Sequence, residues 1–128
     1  MKSTQAFAFL LVGALAALVH MAAVYLMVEH AACLPQQANF GGFAVAFLVS
    51  YLGQRRFTFG GTVLWRHSMW RWGVVSLLGF FLNQALFTLA LLRLPALPYL
   101  LSLGMVTLFV AGVTFVLGKA WAFAELRR

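Results

Sequence analysis

Long apolar runs, separated by short polar clusters, organise this chain. A helix that crosses the hydrocarbon core of a bilayer needs about 20 predominantly apolar residues. Residues 7–28, 34–53, 71–92 and 95–118 each read as such a run. Pro35, Pro95 and Pro98 fall where these runs begin, and a proline at a helix start costs little because its missing N–H has no partner there anyway. The pattern therefore predicts an all-α integral membrane protein of four transmembrane helices. They pair as two tandem hairpins, residues 1–59 and 71–128, joined by a loop over 60–70, in one membrane domain covering 1–128.

Composition supports the bilayer as solvent. Of the 128 residues, 64% are hydrophobic, more than a soluble fold of this size buries. Residues 7–28 are longer than the 7–15 apolar residues of a signal-peptide core, so this first run is expected to be retained as a helix. The net charge is +7, which in a soluble chain would point to nucleic acid. Here its distribution points to topology instead. An even number of spans puts Lys2, Arg55, Arg56, Arg66, Arg71, Lys119, Arg127 and Arg128 on one side and only Arg93 on the other. The positive-inside rule makes the first side cytoplasmic, with both termini there, and no nucleic-acid partner is expected. Trp65, Trp70, Trp72 and Trp121 fall at the same boundary, as an interfacial belt does. The lone cysteine, Cys33, excludes an internal disulfide, and the spacing of His20, His30 and His67 suits no metal.

The two halves echo each other. Leu11-Val12-Gly13 in the first run corresponds to Leu77-Leu78-Gly79 in the third, and Phe57-Thr58-Phe59 to Trp121-Ala122-Phe123. Two spans per half give the halves the same orientation, related by an axis along the membrane normal. The first hairpin ends in Ser50-Tyr51-Leu52-Gly53-Gln54-Arg55-Arg56-Phe57-Thr58-Phe59 and the second in Thr114-Phe115-Val116-Leu117-Gly118-Lys119-Ala120-Trp121-Ala122-Phe123. These stretches resemble the S-F-L-x-N-R-R-F/W-x-F motif of the GtrA-like family of small four-helix membrane proteins. Gln54 takes the asparagine position in the first copy. In the second, Gly118 and Ala120 replace the asparagine and the second arginine. The resemblance covers nearly the whole chain. It implies residence in the bacterial inner membrane and handling of polyprenyl-phosphate-linked sugars for cell-surface polysaccharide or lipopolysaccharide modification. That handling is either flipping of the lipid-linked sugar between leaflets or recruitment of a membrane glycosyltransferase.

A flippase must offer polar partners at membrane depth, because an uncompensated polar group in hydrocarbon is costly. His20 and Asn83 lie near the middle of their runs, Asn39 near the outer start of the second, and Ser50 and Thr114 near the inner ends of the second and fourth. Each has a plainer reading: Ser50 and Thr114 bonding a carbonyl one turn back, Asn39 capping a helix, Asn83 tying helices together. A mid-bilayer histidine is uncommon, so His20 is the sharper candidate for lining a sugar path. Gln84 adjoins Asn83 but points about 100° away. Gly42, Ala46, Ser50 and Gln54 form a small-residue ridge that leads Gln54 to the cytoplasmic end of one seam.

Arg55, Arg56 and Lys119 are the phosphate candidates, since a guanidinium matches phosphate oxygens bidentately. Phe57, Phe59, Trp121 and Phe123 form aromatic caps that either seat at the interface or stack on a sugar. Glu29 and Glu125 are the only carboxylates and fall at opposite ends, so no acid–base pair and no enzyme are expected, and no cofactor. A small multidrug-type transporter needs an acidic residue within the membrane, which would require Glu29 to be buried. Four helices make a thin wall for a polar path, so a homodimer or larger assembly is expected, in contact with membrane lipids.

Overall fold

A computed structural model describes residues 3–58 and 63–122. Within them lie four α-helices: α1 (Ser3–Ala31), α2 (Pro35–Gly53), α3 (Val63–Arg93) and α4 (Tyr99–Leu117). Alanine, leucine and methionine fill α1, good helix formers that leave few reasons to break over 29 residues. It stops where Ala32 turns to a φ of 53°, a left-handed conformation unusual for a residue with a Cβ. Pro35 then opens α2, and Gln37 Oε1 accepts from the Leu34 N–H (3.4 Å), satisfying one donor at that end.

Several boundaries differ from the sequence expectation. Pro98, not Pro95, caps α4; Pro95 lies in the turn before it, closed by the Leu97 N–H on the Leu94 carbonyl at 3.0 Å. Helix α3 begins at Val63, inside the stretch expected to be loop, because nothing from Val63 to Trp72 breaks a helix. Three helical stretches are long and apolar enough to cross a membrane: Ser3–Ala31, Met69–Arg93 and Tyr99–Ala122. Helix α2 does not join them, because Gln36, Gln37 and Asn39 crowd its first turns. Of these, Asn39 is buried and paired inside the bundle, whereas Gln37 is exposed.

Each hairpin is antiparallel. The Gln54 side chain at the end of α2 reaches the Phe9 carbonyl near the start of α1 (3.2 Å), and Arg71 near the start of α3 reaches the Trp121 carbonyl (3.4 Å). The start of α1 and the last described residues therefore lie at one end of the bundle, where Phe9, Met69, Val75 and Ala122 form one core cluster. A second cluster, Val24, Ala38, Phe87 and Leu103, closes the opposite end. Within hairpins the helices approach closely. A Cβ on Gly42 would sit 2.7 Å from Val24 Cγ2 and 3.1 Å from the His20 carbonyl, and one on Gly79 would sit 2.5 Å from Thr114 Cγ2. Only glycine fits at these two crossings.

Both hairpins end in a π-helical turn that continues the α-helix, Gln54–Thr58 after α2 and Gly118–Ala122 after α4. The turns start 64 residues apart, the spacing that also separates Phe57 from Trp121.

Candidate functional site

Between the two core clusters lies a layer of polar side chains contributed by all four helices. Asn39 is its hub and is fully buried. Its Nδ2 donates to Asn83 Oδ1 (3.0 Å) and to Gln84 Oε1 (2.8 Å), both on α3. Asn83 Nδ2 passes the chain on to Thr107 Oγ1 of α4 at 3.2 Å. On α1, His20 Nε2 lies 2.7 Å from Asn39 Oδ1.

The direction of every bond in this layer follows from one backbone group. Gln84 Nε2 faces the Gln36 carbonyl (3.2 Å), which can only accept. Gln84 Oε1 must then face Asn39 and accept from its Nδ2. That leaves Asn39 Oδ1 toward His20, so Nε2 of the imidazole carries the proton and donates. The Gln36 carbonyl thereby sets the tautomer of a histidine one helix away.

Asn39 is thus not a helix cap; it stands in the second turn of α2, near the start of that helix as expected, and faces inward. Gln84, set aside because adjacent helical residues diverge, meets the same partner as Asn83. Its longer side chain spans the angle, and the Asn39 amide lies between the two. Thr114 takes the plainer of its two expected roles, donating to the Val110 (3.0 Å) and Ala111 (3.2 Å) carbonyls of its own helix.

Below the layer, toward the end where α1 and α3 begin, a cleft of about 400 Å³ opens between the four helices. Its closed end is formed by His20, Asn83 and Thr107, and its far end by Phe9, Gln54 and Trp72. Ser50 and Thr114 line its sides. The ridge from Gly42 to Gln54 runs along one wall: Gly42, Ala46 and Gln54 are buried and Ser50 is half-buried. Gln54 is itself locked, donating to Phe9 and accepting from Thr58 Oγ1 at 2.5 Å.

Arg55 and Arg56 follow Gln54 on the first π turn and are exposed, with Arg56 6.0 Å from the Phe57 ring. Phe57 is exposed and Trp121 packs edge-on against Trp70 (5.7 Å). Phe59, Phe123 and the Lys119 side chain lie outside the described residues. The second cap holds a residue that the sequence marks only as part of the cytoplasmic positive charge. The Arg71 guanidinium sits 5.6 Å over the Trp121 ring, and its Nη atoms lie 3.4 Å from the Trp121 carbonyl and 3.3 Å from His67 Nε2. The Trp70-Arg71-Trp72 run was its only sequence signal.

At the other end of the bundle Glu29 is exposed and accepts from the Tyr99 hydroxyl at 2.7 Å. The buried carboxylate that a multidrug-type exporter requires is therefore not supplied by Glu29. Among the described residues no three His, Cys, Asp or Glu side chains gather into a metal site.

Comparison with protein families matches residues 8–123 to the GtrA/DPMS transmembrane domain. No curated protein and no solved structure matches the chain. The match spans most of the chain, which belongs to this family of membrane proteins in lipid-linked sugar pathways.

Proposed function

We propose that this member of the GtrA/DPMS transmembrane family flips a polyprenyl-phosphate-linked sugar across the bacterial inner membrane, with both termini cytoplasmic. The product serves cell-surface polysaccharide or lipopolysaccharide modification. The protein acts without cofactor or covalent chemistry. One observation carries the reading: a polar layer shared by four helices closes a cleft whose other end adjoins the Arg55–Arg56 turn.

The physical difficulty is the headgroup. Sugar hydroxyls and a phosphate lose their water in hydrocarbon, and each loss is expensive unless a protein group replaces it. Asn39, Asn83, Gln84, Thr107 and His20 already pair with one another, so a passing headgroup exchanges hydrogen bonds with them and the interior is never left unsatisfied. Arg55 and Arg56 bind the phosphate, with Lys119 contributing from the second cap. The caps Phe57, Phe59, Trp121 and Phe123 seat at the cytoplasmic interface and stack on the sugar. A homodimer completes the thin wall of the bundle.

Reconstitution tests this. Purified protein in liposomes is given a fluorescent prenyl-phosphate sugar in one leaflet, and its arrival in the other is measured. Movement that is lost in Asn83→Leu and His20→Leu supports flipping. The rival reading is a noncatalytic adaptor that recruits a glycosyltransferase through residues 60–71, which include the first turns of α3. It predicts no lipid movement, transferase binding that persists in both variants, and loss of that binding when Arg66 and Trp70, both exposed, are replaced.

A further inference from the structure

The cleft below the amide layer has walls ill suited to a sugar. Phe9, Phe43, Phe47 and Trp72 stand beside Gly13 and Ala17, and polar atoms are confined to its ends and to scattered hydroxyls. Such walls give a sugar phosphate few partners, whereas a hydrocarbon chain gains dispersion contacts along the whole length.

The dimensions are those of a chain segment. From Phe9 to His20 along α1, at a rise of 1.5 Å per residue, the cleft runs about 16 Å. An apolar cavity of 150 Å³ holds one benzene, about 25 Å³ per carbon. At that density its volume of about 400 Å³ takes roughly sixteen carbons, or about three isoprene units. Methyl branches need side room, which Gly13 and Ala17 provide next to the aromatic rings. Gln54 lines the end of the cleft, and Arg55 and Arg56, which follow it in the chain, are exposed and bring positive charge next to that end.

We propose that the cleft binds the phosphate-proximal isoprene units of the prenyl carrier, with its phosphate at Arg55–Arg56. In this state the cleft seats the lipid tail, and the sugar lies outside it. This rests on the reading that the substrate is a prenyl phosphate, and it describes the loaded state in which the headgroup waits at the cap.

The test is photolabelling of the full-length protein in phosphatidylcholine nanodiscs. The probe is geranylgeranyl phosphate with a diazirine on its second isoprene unit. Label is expected on cleft residues such as Ala17 and Phe47, competed by unlabelled geranylgeranyl phosphate and not by phosphatidic acid. Filling the cleft from either hairpin, by Ala17→Phe or Ala111→Phe, should lower labelling at least about tenfold, since even one misplaced methylene in a fitted apolar pocket is worth about that factor. Label on Leu18 or Leu26, which face outward, would overturn the proposal. So would equal competition by phosphatidic acid, which would assign the cleft to ordinary acyl chains. The wild-type labelling map decides even if a filled variant fails to fold. Cleft labelling without lipid movement in liposomes defeats the flipping reading alone. Lipid movement with label only on outer faces defeats the tail seat alone.

Discussion

Replacing Asn39 with leucine removes the hub of the polar layer while keeping its branched outline. Three hydrogen bonds disappear at once, to His20, Asn83 and Gln84. Interhelical hydrogen bonds in membrane proteins are worth about 0.6 kcal/mol on average. Three of them give a loss of about 2 kcal/mol, roughly thirtyfold in the folding equilibrium. The loss stays that small because the partners find substitutes in the unfolded chain. Left wholly unpaired, each would cost about 1–3 kcal/mol. Reversible unfolding of the reconstituted protein, followed by tryptophan emission, measures the difference. A double-mutant cycle of Asn39→Leu with Asn83→Leu should return a coupling of about 0.5–1 kcal/mol. Ser50→Ala serves as control, since Ser50 lies on the same helix outside the polar layer. Loss in the control equal to that in Asn39→Leu, or a coupling of zero, would refute the layer as a tie between helices.

Five further outcomes follow from particular contacts. Gly42→Ala drives a Cβ against Val24 and the His20 backbone, so thermal unfolding should show a destabilisation of about 1–3 kcal/mol. Gly13→Ala, with open space at its Cβ inside α1, should raise stability by about 0.4–1 kcal/mol. Ala32→Gly relieves a left-handed φ and should raise stability by about 1 kcal/mol in the same assay. Arg71→Lys keeps the charge but loses the planar stack on Trp121; Trp121 emission should shift while membrane insertion is retained. Replacing Arg55 and Arg56 together with lysine keeps the topology signal and should weaken prenyl-phosphate binding measured by native mass spectrometry, because lysine cannot match the phosphate bidentately.

What could be read from the chain divides along a physical line. Helices α1 and α4 were legible because bilayer-length apolar runs have few other uses. His20 and Asn83 stood out for the same reason: polarity is conspicuous in an apolar run. The ridge from Gly42 to Gln54 was legible from its spacing of four. The convergence of Asn83 and Gln84 on Asn39 was not legible, because it depends on where a third helix places its amide. The π turns were hidden too: Gln54–Thr58 and Gly118–Ala122 share little sequence, and a fifth residue per turn leaves no periodic trace over five positions. Arg71 was misjudged because a solvated arginine and one stacked on Trp121 look identical in a sequence.

The hydrogen bonds separate into two kinds, with a consequence for how the halves relate. His20 to Asn39 and Asn83 to Thr107 lie within hairpins, as does Gln54 to Phe9. Asn39 to Asn83, Asn39 to Gln84 and Gln84 to the Gln36 carbonyl cross between hairpins. Within each hairpin, glycine lets the helices interlock at Gly42 and Gly79, and close packing of that kind resists gradual deformation. The crossing ties at this depth are three amide bonds, worth together about 2 kcal/mol at the membrane average. A state with the hairpins parted at the layer, and those bonds unreplaced, would hold about 3% of the population on that term alone, within the range from which a ligand can select. Headgroup hydroxyls that replace the three bonds would remove the penalty, whereas the Gly42 and Gly79 crossings offer a ligand no such exchange. The hairpins, each rigid within itself, are therefore the natural moving bodies. On the proposed flipping function, Asn39 is where a headgroup would have most leverage over them.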